Sequence, residues 1–253
     1  MTPELSIIIP GIRQNNWNNV CNSIQNSISA ECEIIFIGPQ CPNDVLSKYT
    51  AVKFIQDFGC PARCAQLALL KSIGQFVIWL SDDCYLEKDV LTNALQIIKN
   101  DPEAIIAFKY VEGGYSPMAD NNYWKINSFG TSQSRYIPDS YLAVMNALIS
   151  KDYLISIGGW DCNFEAWAMG NVDLAVRMQR NNKRIVMYNG VLMQCDHMPA
   201  DTGDHGPIHY TQIEHDQPLY RQIYDNPDCV NRIKIDINNW KNCENIWSKR
   251  FNL

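Results

Sequence analysis

The spacing of apolar and polar positions changes period several times within the first hundred residues. "LSIIIP" at 5–10 and "CEIIFIG" at 32–38 are short apolar runs rich in β-branched residues, each closed by Pro or Gly. Runs with no polar face predict strands buried on both sides, as in a mostly parallel sheet. Between them Trp17, Val20, Cys21, Ile24 and Ile28 recur at helical spacing and predict an amphipathic helix. The pattern then repeats. "AVKFIQD" (51–57) predicts a strand, and "PARCAQLALLKSIG" (61–74) a helix opened by Pro and closed by Gly. "QFVIWLS" (75–81) predicts another strand and "EKDVLTNALQIIKND" (87–101) another helix. This β-α-β-α-β order places the chain in the α/β class, with an open, doubly wound sheet. Sheets of that kind bind ligands outside the carboxyl ends of their strands.

Beyond residue 111 the rhythm lapses. "EGGYSPMADNNYWKINSFGTSQSRYIP" (112–138) is rich in Gly, Ser, Asn and aromatic residues and predicts long loops or a short antiparallel excursion. A helix near "SKDYLISIG" follows, then "GGWDCNFEAWAMGNVDLAVRMQRNN", then a strand at "RIVMYNGVLMQCDH".

Composition narrows the classes. At 253 residues and 46% hydrophobic content, the chain can bury a full core as one large domain or two closely packed ones. A net charge of −6 argues against a broad nucleic-acid-binding face, which needs a basic stripe. None of the ten Cys form a C-x-x-C pair, so neither a zinc ribbon nor a thioredoxin-like site is expected. "MTPELSIIIPG" lacks the basic and long apolar regions of a signal peptide, and no apolar run approaches the ~20 residues that span a bilayer. The expectation is a cytoplasmic chain with free thiols, whose contact with membranes is at most peripheral.

"FVIWLSDDCYLEKD" (76–89) runs an apolar strand directly into Asp82 and Asp83. Two adjacent carboxylates suit a hard divalent cation, Mg²⁺ or Mn²⁺, which in turn binds phosphate oxygens. The plainer reading of any lone Asp pair is a solvated turn. Its place at the ligand-binding edge of the sheet favours the cation.

The order "SIIIPG", Arg63 within "CPARCAQLALL", "G-x-(aromatic)-x-x-(aromatic)-x-S-D-D-x-x-L-x-x-D", and "GGWD…F…W…G-x-x-D-L-A-x-R" resembles the family 2, GT-A-fold glycosyltransferases over roughly residues 5–197. The resemblance implies a Rossmann-like open sheet with a smaller acceptor-side subdomain. Residues 1–110 would bind the nucleotide-sugar, 111–215 would form the acceptor half with a metal-ligand loop, and 216–253 a C-terminal helical extension. The implied activity is metal-dependent transfer of a sugar, with inversion, from a nucleotide-diphosphate donor to a hydroxyl of a glycan or other acceptor. A UDP-sugar is favoured by family frequency alone.

The same resemblance assigns roles residue by residue. Ser81–Asp83 takes the place of the family's DXD motif, so Asp83 would hold the metal and Asp82 the ribose or the metal. Pro10, Gly11, Arg13, Gly38, Gln40 and Arg63 would line the nucleotide; Gln40 stands where the family often has an acidic residue that reads the base. His197 would complete the metal shell, with His205 the second choice, and 198–210 would form a lid over the donor. Trp160 and Trp167 would stack on acceptor sugars, or else pack in the core.

One position disagrees with the chemistry. Inverting transfer needs a base for the acceptor hydroxyl, and the family's base position holds Asn171, a carboxamide that cannot serve. Asp161 and Glu165 are the nearby substitutes; Asn171 is expected beside the acceptor hydroxyl, and Asn171→Asp is expected to raise activity. Two other readings stay open: a binding-only, catalytically degenerate domain, and a sugar nucleotidyltransferase. "IIIPGIRQNN" supplies only one Gly and one Arg for the triphosphate loop that the latter would need.

Overall fold

The apolar runs become strands and the periodic segments become helices in a computed structural model that describes residues 2–41, 43–112, 125–128, 132–195 and 210–243. Strands β1 (Leu5–Pro10), β2 (Cys32–Gly38), β3 (Val52–Gln56) and β4 (Phe76–Trp79) alternate with helices α1 (Gln14–Ser27), α2 (Asn43–Lys48) and α3 (Pro61–Lys71). Next come β5 (Cys84–Tyr85), α4 (Val90–Asn100), β6 (Ala104–Glu112), β7 (Ala147–Ser150), α5 (Lys151–Ser156), α6 (Trp167–Arg180) and β8 (Arg184–Cys195). A π-helical turn, Gln212–Asp216, runs into α7 (Gln217–Tyr224).

These strands form one sheet in the order β3-β2-β1-β4-β7-β6-β8-β5. The first four are mutually parallel, β7 is antiparallel to both of its neighbours, and β6 and β8 are parallel to each other. The predicted mostly parallel α/β sheet is therefore present. Strands β1, β2 and β4 are buried along almost their whole length, as runs without a polar face require. Trp17 of α1 stacks on Phe36 of β2 with ring centroids 4.1 Å apart. Each such fully buried side chain contributes roughly 1.5–3 kcal/mol through lost apolar exposure.

The chain moves outward from β1 to β2 to β3, then returns to place β4 on the other side of β1. The carboxyl ends of β1 and β4 thus flank a topological switch point, where helices diverge and a crevice opens. Both Asp82 and Asp83 follow β4 at that crevice.

The described part of the final segment packs back onto the rest of the molecule. After α7 it continues through short 3-10 turns at Pro227–Asn231 and Asn239–Asn242. On the way it bonds to the centre of the molecule: Ile235 N–H donates to the Ile157 carbonyl, and Gln66 Nε2 donates to the Ile237 carbonyl.

Candidate active site

Asp82 organises the crevice from beneath. Its Oδ2 accepts the backbone N–H groups of Ile12 (2.7 Å) and Arg13 (2.5 Å) and the Trp17 indole N–H (3.3 Å). Its Oδ1 pairs with Arg13 Nη1 at 2.6 Å. A carboxylate with so many short donors fixes the 11–13 loop and the head of α1. Gly11 permits the approach, because a Cβ there would lie 2.9 Å from Asp82 Oδ2. Asp82 therefore shapes the loop. Asp83 is fully buried, with Oδ2 3.7 Å from Arg13 Nη1. The result is a cationic guanidinium over two carboxylates at the switch point, beside Pro10 and Gly11.

A hard divalent ion fits this donor chemistry, since such ions use one or two carboxylates and complete their shell with phosphate oxygens and water. Among the described residues no group of three His, Cys, Asp or Glu side chains is arranged as a metal cage. Strand β8 ends with Cys195 paired to Cys84, the residue after Asp83. His197, His205 and 198–209 lie outside the described residues; Tyr210, the end of the expected lid, is exposed and opens the next helical stretch.

At the far end of the crevice, Gly38 is buried and its carbonyl accepts the Asp57 N–H at 3.0 Å. Gln40 is exposed, and its Oε1 accepts from Gln14 Nε2 at 3.1 Å. Arg63 makes a forked pair with Asp57, Nε to Oδ1 at 3.0 Å and Nη2 to Oδ2 at 3.1 Å. Its Nη1 also donates to the carbonyls of Trp240 and Cys243, and the guanidinium sits 5.3 Å from the Trp240 ring centroid. The hydrogen bonds that Arg63 donates to Asp57 raise its pKa further. Sequence reasoning missed Asp57, although the acidic end of "AVKFIQD" was its signal.

The GGW segment is held from both sides. Gly158 and Gly159 have φ of +91° and +68°, and a Cβ on Gly158 would stand 2.2 Å from the Ile235 carbonyl oxygen. Only glycine accepts both the backbone and the approach. Trp160 then turns inward and is completely buried, edge-on to Trp79 at 5.2 Å and stacked on Trp167 at 5.8 Å. Trp160 thus packs in the core, with no face of its ring presented. Trp167 remains half-buried and is the aromatic of this pair that reaches the surface.

Asn171 is also fully buried, one turn into α6. Its Oδ1 accepts the Trp160 indole N–H at 3.1 Å, and its Nδ2 donates to the Met145 carbonyl at 3.3 Å. The site demands a donor and an acceptor from one side chain, which a carboxamide supplies and a carboxylate does not. Asn171 thus packs as an amide inside the fold. Asp161 is committed as well: it pairs with Arg232, and its Oδ1 accepts the Asn163 N–H at 3.0 Å. Arg232 also pairs with Asp173 (3.1 Å), which bonds Arg177 (2.8 Å) and the Tyr224 hydroxyl (2.7 Å). Burial raises the Asp173 pKa, but Arg177 and Arg232 outweigh it and the net shift is downward.

Glu165 has a different setting. It lines a pocket of about 290 Å³ with Asn163, His215 and the thiols of Cys60, Cys162 and Cys243. His215 Nε2 lies 3.8 Å from Glu165 Oε1, and Nδ1 lies 2.8 Å from Asp216 Oδ1. The buried Asp216 also accepts the backbone N–H groups of Glu165 (3.0 Å) and Ala166 (2.7 Å). It thereby anchors the entrance to α6, which has no side-chain cap of its own. Neither His215 nor Asp216 was marked from the sequence, since some fifty positions separate them from Glu165.

No protein-family model matches the chain, and no curated protein does. Solved structures do. The crystal structure of S. aureus TarS superimposes with a TM-score of 0.60 at 16% identity, covering 90% of this chain and 43% of that one. S. aureus TarS 1-349 in complex with UDP gives 0.56 at 16% identity, with 90% and 71% covered. GalNAc-T7 with UDP, GalNAc and Mn²⁺ gives 0.58 at 11% identity, with 84% and 48% covered. The chain thus spans less than half the length of two of these structures and shares with all three the GT-A-type glycosyltransferase fold.

Proposed function

We propose that the chain is a metal-dependent glycosyltransferase that moves a sugar, with inversion, from a UDP-sugar to a hydroxyl of a glycan or other acceptor. One observation carries the reading: at the switch point of a GT-A-type sheet, Asp83 is buried beside Arg13, and Asp82 is spent on holding the 11–13 loop. The similar structures support it, since one TarS structure contains UDP and the GalNAc-T7 structure contains UDP, GalNAc and Mn²⁺.

In this reading the 10–13 loop and the Asp57–Arg63 pair bind the nucleotide, and Arg13 faces the diphosphate. Asp83, with His197 as a further ligand, would hold Mn²⁺ or Mg²⁺. When bound, such an ion stabilises the negative charge that develops on the departing diphosphate. Arg13 adds fixed positive charge at the same point, held in place by Asp82 so that little reorganisation accompanies the reaction. Trp167 offers the partly exposed ring for an acceptor.

The test is thermal unfolding with UDP, in the presence and absence of Mn²⁺. A ligand at about 100 times its Kd stabilises the native state by about 2.7 kcal/mol, an increment visible as a rise in Tm. Wild type should show a Mn²⁺-dependent rise, and Asp83→Asn should lose that dependence. Equal rises with and without metal in both proteins would remove the metal from the reading. UDP binding without UDP release from any UDP-sugar would support a binding-only domain instead.

A further inference from the structure

If the chain transfers sugar, the proton of the acceptor hydroxyl has to go somewhere, and the described carboxylates near α6 are unequally available. Asn171 is neutral and buried between Trp160 and Met145, and Asp161 is ion-paired to Arg232. We infer that His215, oriented by Asp216 and facing the pocket that Glu165 shares, is the proton acceptor for the incoming hydroxyl. The inference rests on the glycosyltransferase reading and names the base that this reading leaves unassigned.

The tautomer follows from the hydrogen bonds. Both oxygens of Asp216 accept backbone N–H groups, from Glu165 and from Ala166, so this carboxyl acts as an acceptor. The imidazole Nδ1 at 2.8 Å must then be the protonated nitrogen, donating to Asp216 Oδ1. Nε2 is left as the basic nitrogen, and His215 lines the same 290 Å³ pocket as Glu165. A buried carboxylate that fixes the proton on one ring nitrogen and keeps the other basic is the arrangement of many imidazole bases. It also explains the position of Asp216, which locks both the ring and the entrance to α6, so the base and the loop bearing Glu165 share one anchor.

A chain of tryptophans links the pocket to the strand that leads into the crevice. Glu165 is two residues before Trp167, whose ring stacks on Trp160, itself edge-on to Trp79 of β4. Asp82 and Asp83 end the segment that leaves that strand. In the step, the acceptor oxygen bonds to the anomeric carbon as its proton passes to Nε2. The bond from that carbon to the phosphate oxygen breaks, and its electron pair leaves with the nucleoside diphosphate. Glu165, 3.8 Å from Nε2, is placed to stabilise the imidazolium that results.

UDP release from a panel of UDP-sugars, with water and with sugar acceptors, gives the measurement. His215→Gln should lower kcat by about 10²-fold or more, the usual size of base assistance, while the Mn²⁺-dependent Tm rise with UDP stays intact. The wild-type profile should lose activity as pH falls through the histidine range, and the variant should lose that limb. The titratable groups facing the ring are Glu165, Asp216 and, across the pocket, Cys60, Cys162 and Cys243. An unchanged kcat and acid limb in His215→Gln, with Glu165→Gln inactive, would overturn the inference and leave the glycosyltransferase reading standing. Failure of UDP to bind at all would overturn both. Independently of turnover, long-range ¹H–¹⁵N spectra of the four histidines should show His215 as the Nδ1–H tautomer, assigned by its disappearance in His215→Gln. An Nε2–H tautomer would sink the proposal.

Discussion

At the scale of single residues, the position where motif and chemistry disagree becomes a question of hydrogen-bond valence. Asn171 sits between an indole N–H and a backbone carbonyl, so its two amide atoms are both used. Asn171→Asp keeps the acceptor but sets a carboxylate oxygen against the Met145 carbonyl, at a position closed to solvent. Leaving a buried polar group badly matched costs about 1–3 kcal/mol, and more when it is charged. The expected outcome is a Tm several degrees lower and no gain in UDP release, read by calorimetry and a turnover assay on the same sample. A gain in activity with unchanged Tm would return Asn171 to the acceptor side. The motif shows where position 171 lies along α6, but it carries no information on which way the side chain faces. That direction is set by Trp160, whose inward turn depends on the two positive-φ glycines before it. At the crevice, by contrast, "LSDD" was legible, because two carboxylates set directly after a buried apolar strand mark the edge at which such a sheet binds ligands.

At the scale of elements, the C-terminal segment is the feature that periodicity could not announce. Among its described residues the regular structure after α7 is two short 3-10 turns, yet it supplies Arg232 to Asp161 and Asp173, and Asn239 Oδ1 to the Cys162 N–H at 2.7 Å. Such bonds depend on partners some sixty to eighty positions away, which local pattern cannot encode. Arg232→Met removes one cation from a buried web and leaves Asp161 and Asp173 short of charge. Breaking a buried pair in this way typically costs about 3–5 kcal/mol. The expected result is a large drop in Tm, together with faster amide exchange across 157–165 as well as 232–243. If exchange rises only in 232–243, the segment is a passive cover and does not brace the loop. Strand β7 was missed for a different reason. "ALIS" is four residues long and runs straight into α5, too short to show a period of its own.

For the molecule as a whole, the parallel half of the sheet was legible because its strands are buried on both faces and its helices carry one apolar stripe each. The pocket was not, because its walls come from four separated segments, at 60, 162–165, 215 and 242–243. Acid stability also belongs to this scale. Burial raises the Glu33 pKa, but the Ile73 N–H, Lys53 and Ser6 outweigh it, and Asp173 is likewise lowered by Arg177 and Arg232. Both groups release protons more readily when folded than when unfolded. Their stabilisation is therefore complete above the ordinary carboxylate range, about pH 4–4.5, and is lost as pH falls through the depressed folded values. Tm should fall in that acid window, and the fall should be shallower in Asp173→Asn, whose uncharged side chain has no such titration. An identical slope in wild type and variant would assign acid unfolding to other carboxylates.

The insertion of β7 between β4 and β6 has a consequence for synthesis on the ribosome. Translation delivers β1 to β4 in the first 79 residues, but the strand that pairs with the outer edge of β4 begins only at Ala147. At typical elongation rates of about 5–20 residues per second, that edge waits seconds without its partner. Through that interval the nascent chain carries Phe76–Trp79 as an open, apolar β-edge, the kind of template on which other chains can pair. The pocket waits longer still, since its last wall, Cys243, follows almost a hundred further residues.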